Sequence, residues 1–175
     1  VIKPLVMGAA VDAHVVTPQT SYNDQGFVEV KDRTINNFDR KGRGPGTTMQ
    51  DVLDQSLNTG MVFVQQKMGN ELFKKYMLSY QIGERTGIDL PNETQGLISN
   101  LQKGGDVASA NAAFGQGIAL TPIEAVRAFT ALANDGKMVT PHIASSIVLS
   151  TGITKEIEVP APVQVLSPEA TATIA

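Results

Sequence analysis

The chain has no cysteine among its 175 residues. Its absence excludes a disulfide framework, thiolate catalysis and a metal site built on cysteine. Uninterrupted apolar runs are also short, about five residues at most, whereas a membrane-spanning helix needs roughly 20. No signal peptide is visible. The net charge is only −3, and basic residues are grouped only sparsely, between Lys31 and Arg43, which argues against nucleic acid as a partner.

What is present is the composition of a globular domain. Hydrophobic residues make up 42% of the chain and charged residues 18%, and 175 residues can enclose a sizeable core. The first residue is Val1 and not Met. We therefore expect a processed or excised piece, with any targeting or anchoring segment upstream.

The first helix predicted by the sequence places a lysine at its beginning. Apolar residues at positions 2, 5, 6, 9, 10 and 13 share one helical face, and Pro4 is suited only to a first helical turn. Lys3 then lies at the positive end of the helix dipole. It is either a solvated surface lysine or a lysine whose pKa is lowered toward that of a base.

The triplet Ser56-Leu57-Asn58 lies between two helical segments. Thr48 followed by Asp51 is typical of a capping box at the start of the first segment. The second is expected from Thr59 to Met68, with Gly69 just beyond its end. Residues i and i+2 cannot share the outer face of a regular helix, but both can face a cleft if the chain turns at that point.

The remaining pattern predicts a helix-rich chain with a few short strands. Thr121, Pro122 and Glu124 give the clearest helix start. Helices are expected over 71–80, 106–113, 122–134 and from 168 onward. Short strands are expected over 27–30, 34–35, 138–142, 144–149 and 156–159. Residues 40–46 are interpreted as a flexible surface loop, and residues 81–105 as turns.

The two histidines, His14 and His142, lie far apart and have no acidic or histidine neighbours at ligand spacing. We therefore expect no metal site and no cofactor. Spacing alone leaves a Ser-His-Asp arrangement open, although no Gly-x-Ser-x-Gly elbow is present.

Several segments together resemble one known family. They are Val1-Ile2-Lys3-Pro4, Gln55–Gly60, Gly83–Pro91, Phe114–Glu124, Ala131–Gly136 and Pro141-His142. The set resembles the transpeptidase domain of penicillin-binding proteins over essentially the whole chain, and Phe114–Glu124 is its most specific part. The resemblance implies an α+β chain, mainly the helical part of a penicillin-binding/β-lactamase-like transpeptidase fold with short β-hairpins. The central antiparallel sheet would lie largely outside this segment.

Family chemistry uses three motifs: Ser-x-x-Lys, Ser-x-Asn and Lys-Thr/Ser-Gly. Lys3 matches the lysine of the first motif, and Ser56 and Asn58 match the second. The nucleophilic serine would be the residue preceding Val1, and no Lys-Thr-Gly or Lys-Ser-Gly occurs in the chain. Residues 1–175 are thus expected to form a partial transpeptidase domain truncated at both ends. Either the domain was divided, or the serine is recorded as a non-standard residue such as an acylated serine.

The resemblance also implies the reaction. Lys3 would take the serine proton, Ser56 would relay it toward the leaving amine, and Asn58 would bind the substrate amide. The expected partners are peptidoglycan stem peptides and β-lactam antibiotics. The expected location is the extracytoplasmic face of the bacterial membrane, with the anchor outside this segment and with cell-wall synthesis proteins as further partners.

Two alternatives accompany this interpretation: a serine β-lactamase or β-lactam sensor, and a non-catalytic relative that binds the cell wall. A serine β-lactamase shares the fold and the first two motifs, and one kind deacylates through a Glu followed by an Asn four residues later. None of the eight glutamates here has such an Asn, and Phe114–Glu124 also favours a transpeptidase. The second alternative is a non-catalytic relative that binds cell-wall peptide or a partner protein. The presence of Lys3, Ser56 and Asn58 argues against that alternative, and the missing nucleophilic serine keeps it open.

Overall fold

A computed structural model describes residues 1–174 of the chain. It contains eight helices: α1 Lys3–Asp12, α2 Met49–Asp54, α3 Asn58–Met68, α4 Asn70–Ser79, α5 Ser99–Lys103, α6 Asp106–Ala113, α7 Pro122–Ala133 and α8 Pro168–Ile174. The strands are β1 Ser21–Asp24, β2 Phe27–Val30, β3 Arg33–Asn36, β4 Gly44–Thr48, β5 Lys137–Met138, β6 Ser146–Val148, β7 Thr154–Glu156 and β8 Val163–Gln164.

The strands form four separate antiparallel pairs, β1 with β4, β2 with β3, β5 with β8, and β6 with β7. Every sheet within residues 1–174 therefore has two strands. The expected α+β class, mainly helical with short β-hairpins and without the central sheet, is confirmed.

Helix α1 forms the centre of the core. It packs against α3, α4, α7 and α8, and six consecutive residues, from Leu5 to Ala10, are buried. Helix α4 is joined to it by the buried Tyr80, whose hydroxyl donates to the carbonyl of Leu5 at 3.0 Å. The expectation of a single apolar face on this helix is wrong, because a helix surrounded by other helices is buried on all sides.

Local capping signals determine where the helices begin. Thr48 and Asp51 form the predicted capping box of α2, and Thr121 and Glu124 form that of α7. In each box the hydroxyl accepts from a backbone N–H while the carboxylate accepts from the capping residue's own N–H. The carboxylate of Glu124 is buried and also accepts from the N–H of Gly96 at 2.9 Å, so it links the α7 start to the segment before α5.

Four elements were not expected from the sequence: β1, β4, α5 and β8. The interpretation of residues 40–46 as a loop is wrong for residues 44–46, because they belong to β4, which pairs with β1. Gly44-Pro45-Gly46 has low strand propensity, so the pairing depends on tertiary contacts. Conversely, the strand expected over 138–142 is limited to Lys137–Met138.

Candidate active site

Lys3 is the first residue of α1, and its side chain is half-buried. Its Nζ donates to the Ser56 carbonyl at 2.5 Å, to Ser56 Oγ at 3.0 Å and to Asn58 Oδ1 at 2.9 Å. Burial lowers the pKa of Lys3 from 10.5 to about 8, because desolvation disfavours the charged ammonium. The side chain is therefore not the fully solvated lysine that was one of the two alternatives.

Ser56 lies at the turn between α2 and α3. The Leu57 N–H donates to the Val52 carbonyl at 2.9 Å, and the Ser56 N–H donates to the Leu53 carbonyl at 3.2 Å. This pair of bonds defines a Schellman motif, in which the residue at the Ser56 position is left-handed and most often glycine. Ser56 has φ +54, so a side chain occupies a backbone conformation that costs an L-residue about 1–2 kcal/mol.

Asn58 is the first residue of α3, immediately after this turn. Its Oδ1 accepts from Lys3, and its Nδ2 donates to the carbonyl of Asn36 at 2.9 Å. The carbonyl of Asn36 can only accept, so the amide group of Asn58 has one defined orientation, with its oxygen toward the lysine. The turn predicted from the Ser-x-Asn spacing is present, and both polar side chains reach Lys3.

A cleft of about 440 Å³ adjoins Asn58. Strand β3 and helix α6 contribute to its walls, and the remaining lining residues follow α6. The polar members are Arg33, Thr34, Asn36, Asn111 and Gln116. Gln116 belongs to the Phe114–Glu124 run, and its position places part of that run next to the Lys3–Ser56–Asn58 cluster.

The other candidate residues do not join this cluster. His14 follows α1 and His142 follows β5, and both are exposed. Within residues 1–174 no group of three or more His, Cys, Asp or Glu side chains is arranged to hold a metal ion. Across the same range, the helices are too short or too polar to cross a membrane.

Sequence reasoning missed the residues that hold this cluster in place. Asp24, Asn37 and Thr59 are all buried and hydrogen-bonded to one another beneath the start of α3. They lie 13 to 35 residues apart along the chain. No local pattern signals such a contact.

Residues 1–175 match the penicillin binding protein transpeptidase domain. The chain belongs to this family. Stage V sporulation protein D of Bacillus subtilis is 35% identical over 143 residues, which is 81% of this chain and 22% of that protein. Peptidoglycan D,D-transpeptidase MrdA of Haemophilus influenzae is 30% identical over 158 residues, covering 83% of this chain and 24% of that protein.

A solved structure of the family also superposes closely. Penicillin-binding protein 3 of Mycobacterium tuberculosis, in complex with ampicillin, matches 98% of this chain with a TM-score of 0.90 and 26% identity. The match covers 38% of that protein's chain. The chain therefore spans about a quarter of the length of these two curated relatives and 38% of the length of the solved chain.

Proposed function

We propose that this chain is part of a serine D,D-transpeptidase that cross-links peptidoglycan stem peptides. The observation that carries the proposal is the position of Lys3 Nζ, within hydrogen-bond distance of Ser56 Oγ and Asn58 Oδ1. A base must lie within hydrogen-bond reach of the proton that it moves. Membership of the penicillin-binding protein family supports the substrate class.

The first step forms the acyl-enzyme. The serine preceding Val1 is the proposed nucleophile, and a serine three residues before a lysine lies on the same helical face. Neutral Lys3 takes the serine proton while the serine oxygen attacks the carbonyl between two D-alanines. The carbon–nitrogen bond then breaks, Ser56 passes its proton to the leaving amine and is reprotonated by Lys3, and terminal D-Ala departs.

The second step resolves the ester. An amine of a neighbouring stem peptide attacks the acyl carbonyl and gives up one proton to Lys3. A new amide forms as the acyl–oxygen bond breaks, and the serine oxygen recovers that proton from the lysine. Asn58 has a side-chain amide that can bind the backbone amide of the substrate. A β-lactam resembles the D-Ala-D-Ala end and acylates the same serine. We expect the reaction to take place at the extracytoplasmic face of the cell membrane.

The lowered pKa of Lys3 supports its role as the base. With a pKa of about 8, about one lysine in ten is neutral at pH 7, whereas an ordinary lysine is almost entirely charged. The contacts are also compatible with both protonation states. A neutral Lys3 keeps two N–H groups for the Ser56 carbonyl and Asn58 Oδ1, and its single lone pair is left to take the serine proton.

The test is acylation of the full-length protein by a fluorescent penicillin. Wild-type protein should form a stable adduct, and mass spectrometry should locate the label on the residue preceding Val1. Lys3→Ala should abolish the adduct, while Lys155→Ala, at an exposed lysine of β7, should not change it. Unimpaired labelling of Lys3→Ala would refute the assigned base, and rapid hydrolysis of the adduct would favour a β-lactamase.

A further inference from the structure

Helix α3 begins without a capping side chain of its own. The residue at its N-cap is Leu57, which has no side-chain hydrogen bond to the helix. The first N–H groups of a helix have no partner within the helix and need one elsewhere. Here the N–H groups of Asn58 and Thr59 both donate to Asn37 Oδ1, at 3.0 and 3.2 Å. The cap therefore comes from a side chain 21 residues upstream.

A buried carboxylate determines which way the Asn37 amide points. Asn37 Nδ2 donates to both oxygens of Asp24, at 3.1 and 3.0 Å. Asp24 and Asn37 are 1% and 2% exposed. A rotated amide would place its oxygen against the carboxylate, so Nδ2 must face Asp24 and Oδ1 must face α3. Thr59 Oγ1 closes the network by donating toward Asp24 Oδ1 at 2.8 Å.

Two consecutive residues, Asn36 and Asn37, hold Asn58 by its side chain and by its backbone. Asn37 binds the N–H of Asn58, and the carbonyl of Asn36 accepts from its Nδ2 at 2.9 Å. The oxygen of that side chain then faces Lys3. A shift of the first turn of α3 would therefore move Asn58 Oδ1 and the adjoining Ser56 away from the lysine.

We propose that Asn37 is a positioning residue for the Lys3–Ser56–Asn58 cluster and that Asp24 orients its amide. The role rests on the proposed function and deepens it. Asn37 touches no reacting atom in this proposal. It keeps the Ser56 turn and Asn58 at a fixed position relative to Lys3 on α1. The rate of proton transfer depends steeply on this position, because small displacements of reacting groups lower rates strongly.

The alternative is that Asn37 only stabilises the fold. The two roles differ in what they change in a single-turnover acylation. If Asn37 is merely a helix cap, removing it lowers the fraction of folded protein and hence the amplitude of labelling. If it positions the cluster, removing it lowers the acylation rate constant of the molecules that remain folded.

The experiment compares Asn37→Ala with Thr121→Ala in the full-length protein. Thr121 caps α7 through its own side chain, so Thr121→Ala is a matched loss of one helix cap outside the cluster. Both variants are labelled with fluorescent penicillin at saturating concentration and well below their melting temperatures, with folding monitored by circular dichroism. We expect Asn37→Ala to lower the maximal acylation rate constant by up to about 100-fold and Thr121→Ala to leave it unchanged.

A second variant keeps the test decisive if Asn37→Ala does not fold. Thr59→Val preserves the shape of the side chain but removes the hydroxyl that binds Asp24 and Asn37. Thr59→Val should also lower the acylation rate constant, by a smaller factor than Asn37→Ala. Wild-type rate constants in the folded variants, with loss only of amplitude, would overturn the positioning role. A wild-type protein that is not acylated would instead overturn the proposed function, and the positioning role with it.

Discussion

Lys3 Nζ lies 3.0 Å from Ser56 Oγ, although 53 residues separate the two in the chain. The contact joins the first residue of a buried helix to a left-handed turn between two others. Neither residue type points to this contact in the sequence, because lysines occur in first turns and serines occur after helices without it. In the proposed mechanism their contact provides the proton path, and four predictions follow from it and from the packing around it.

The rate of acylation should depend on the protonation of Lys3. A base acts in its neutral form, so the rate should rise about tenfold per pH unit below the pKa and level off above it. Because burial places this pKa at about 8, we expect the midpoint near pH 8. Single-turnover labelling between pH 6 and 10 measures this midpoint. An acylation rate that is constant across this range would contradict the assignment of Lys3 as the base.

Replacing Ser56 should separate the function of its hydroxyl from the strain in its backbone. Ser56→Ala and Ser56→Gly both remove the hydroxyl, so both should slow acylation by roughly two to four orders of magnitude. Glycine adopts the left-handed conformation without a Cβ penalty. Ser56→Gly should therefore be more stable than Ser56→Ala by about 1 kcal/mol.

Urea denaturation of the two variants measures the difference. Equal free energies of unfolding would mean that the left-handed turn at residue 56 is not strained. Acylation of either variant at the wild-type rate would remove Ser56 from the proposed proton path.

Gly60 should not tolerate even one added methyl group. Helices α2 and α3 approach each other closely at this residue, and a Cβ on it would collide with Val52, lying 2.8 Å from its Cγ1. Gly60→Ala should destabilise the protein by about 1–3 kcal/mol. Gly105→Ala is the control, since a Cβ at Gly105 meets no atom within 4 Å and the change costs only the preference of the α6 N-cap for glycine over alanine.

A double variant tests whether the collision is the cause. Val52→Ala removes the methyl groups that the new Cβ would meet, so the combined loss should be smaller than the sum of the two single losses. Strict additivity in thermal or urea denaturation would show that Gly60 is required for another reason.

Arg127 should stabilise the chain segment that follows α4. Its guanidinium is buried and donates to the carbonyls of Gln81, Glu84 and Arg85 at 2.6 to 3.0 Å. Arg127→Met leaves these acceptors without a donor and should cost at least about 2 kcal/mol of unfolding free energy. The exposed Arg33→Met should change it by less than about 0.5 kcal/mol, and an equal effect of both would contradict the role.

Much of the secondary structure was predictable because its causes are local. The capping boxes at Thr48 and Thr121 act over three residues. The hairpin of β2 and β3 follows from the alternation of apolar and polar residues within a stretch of ten residues. The pairing of β1 with β4 was not predictable, since Gly44-Pro45-Gly46 has low strand propensity and the partner residues lie twenty or more positions upstream.

The sequence by itself indicated the helical class through its local periodicity, and its resemblance to a known family indicated the family and the candidate residues Lys3, Ser56 and Asn58, because short motifs can be recognised without the fold. Only the tertiary structure decided that these residues meet, that the pKa of Lys3 is lowered by burial, and that Asn37 caps α3. Desolvation and long-range hydrogen bonds depend on which surfaces pack together. Packing brings together residues that are far apart in the chain, and the local sequence around each of them carries no sign of the contact.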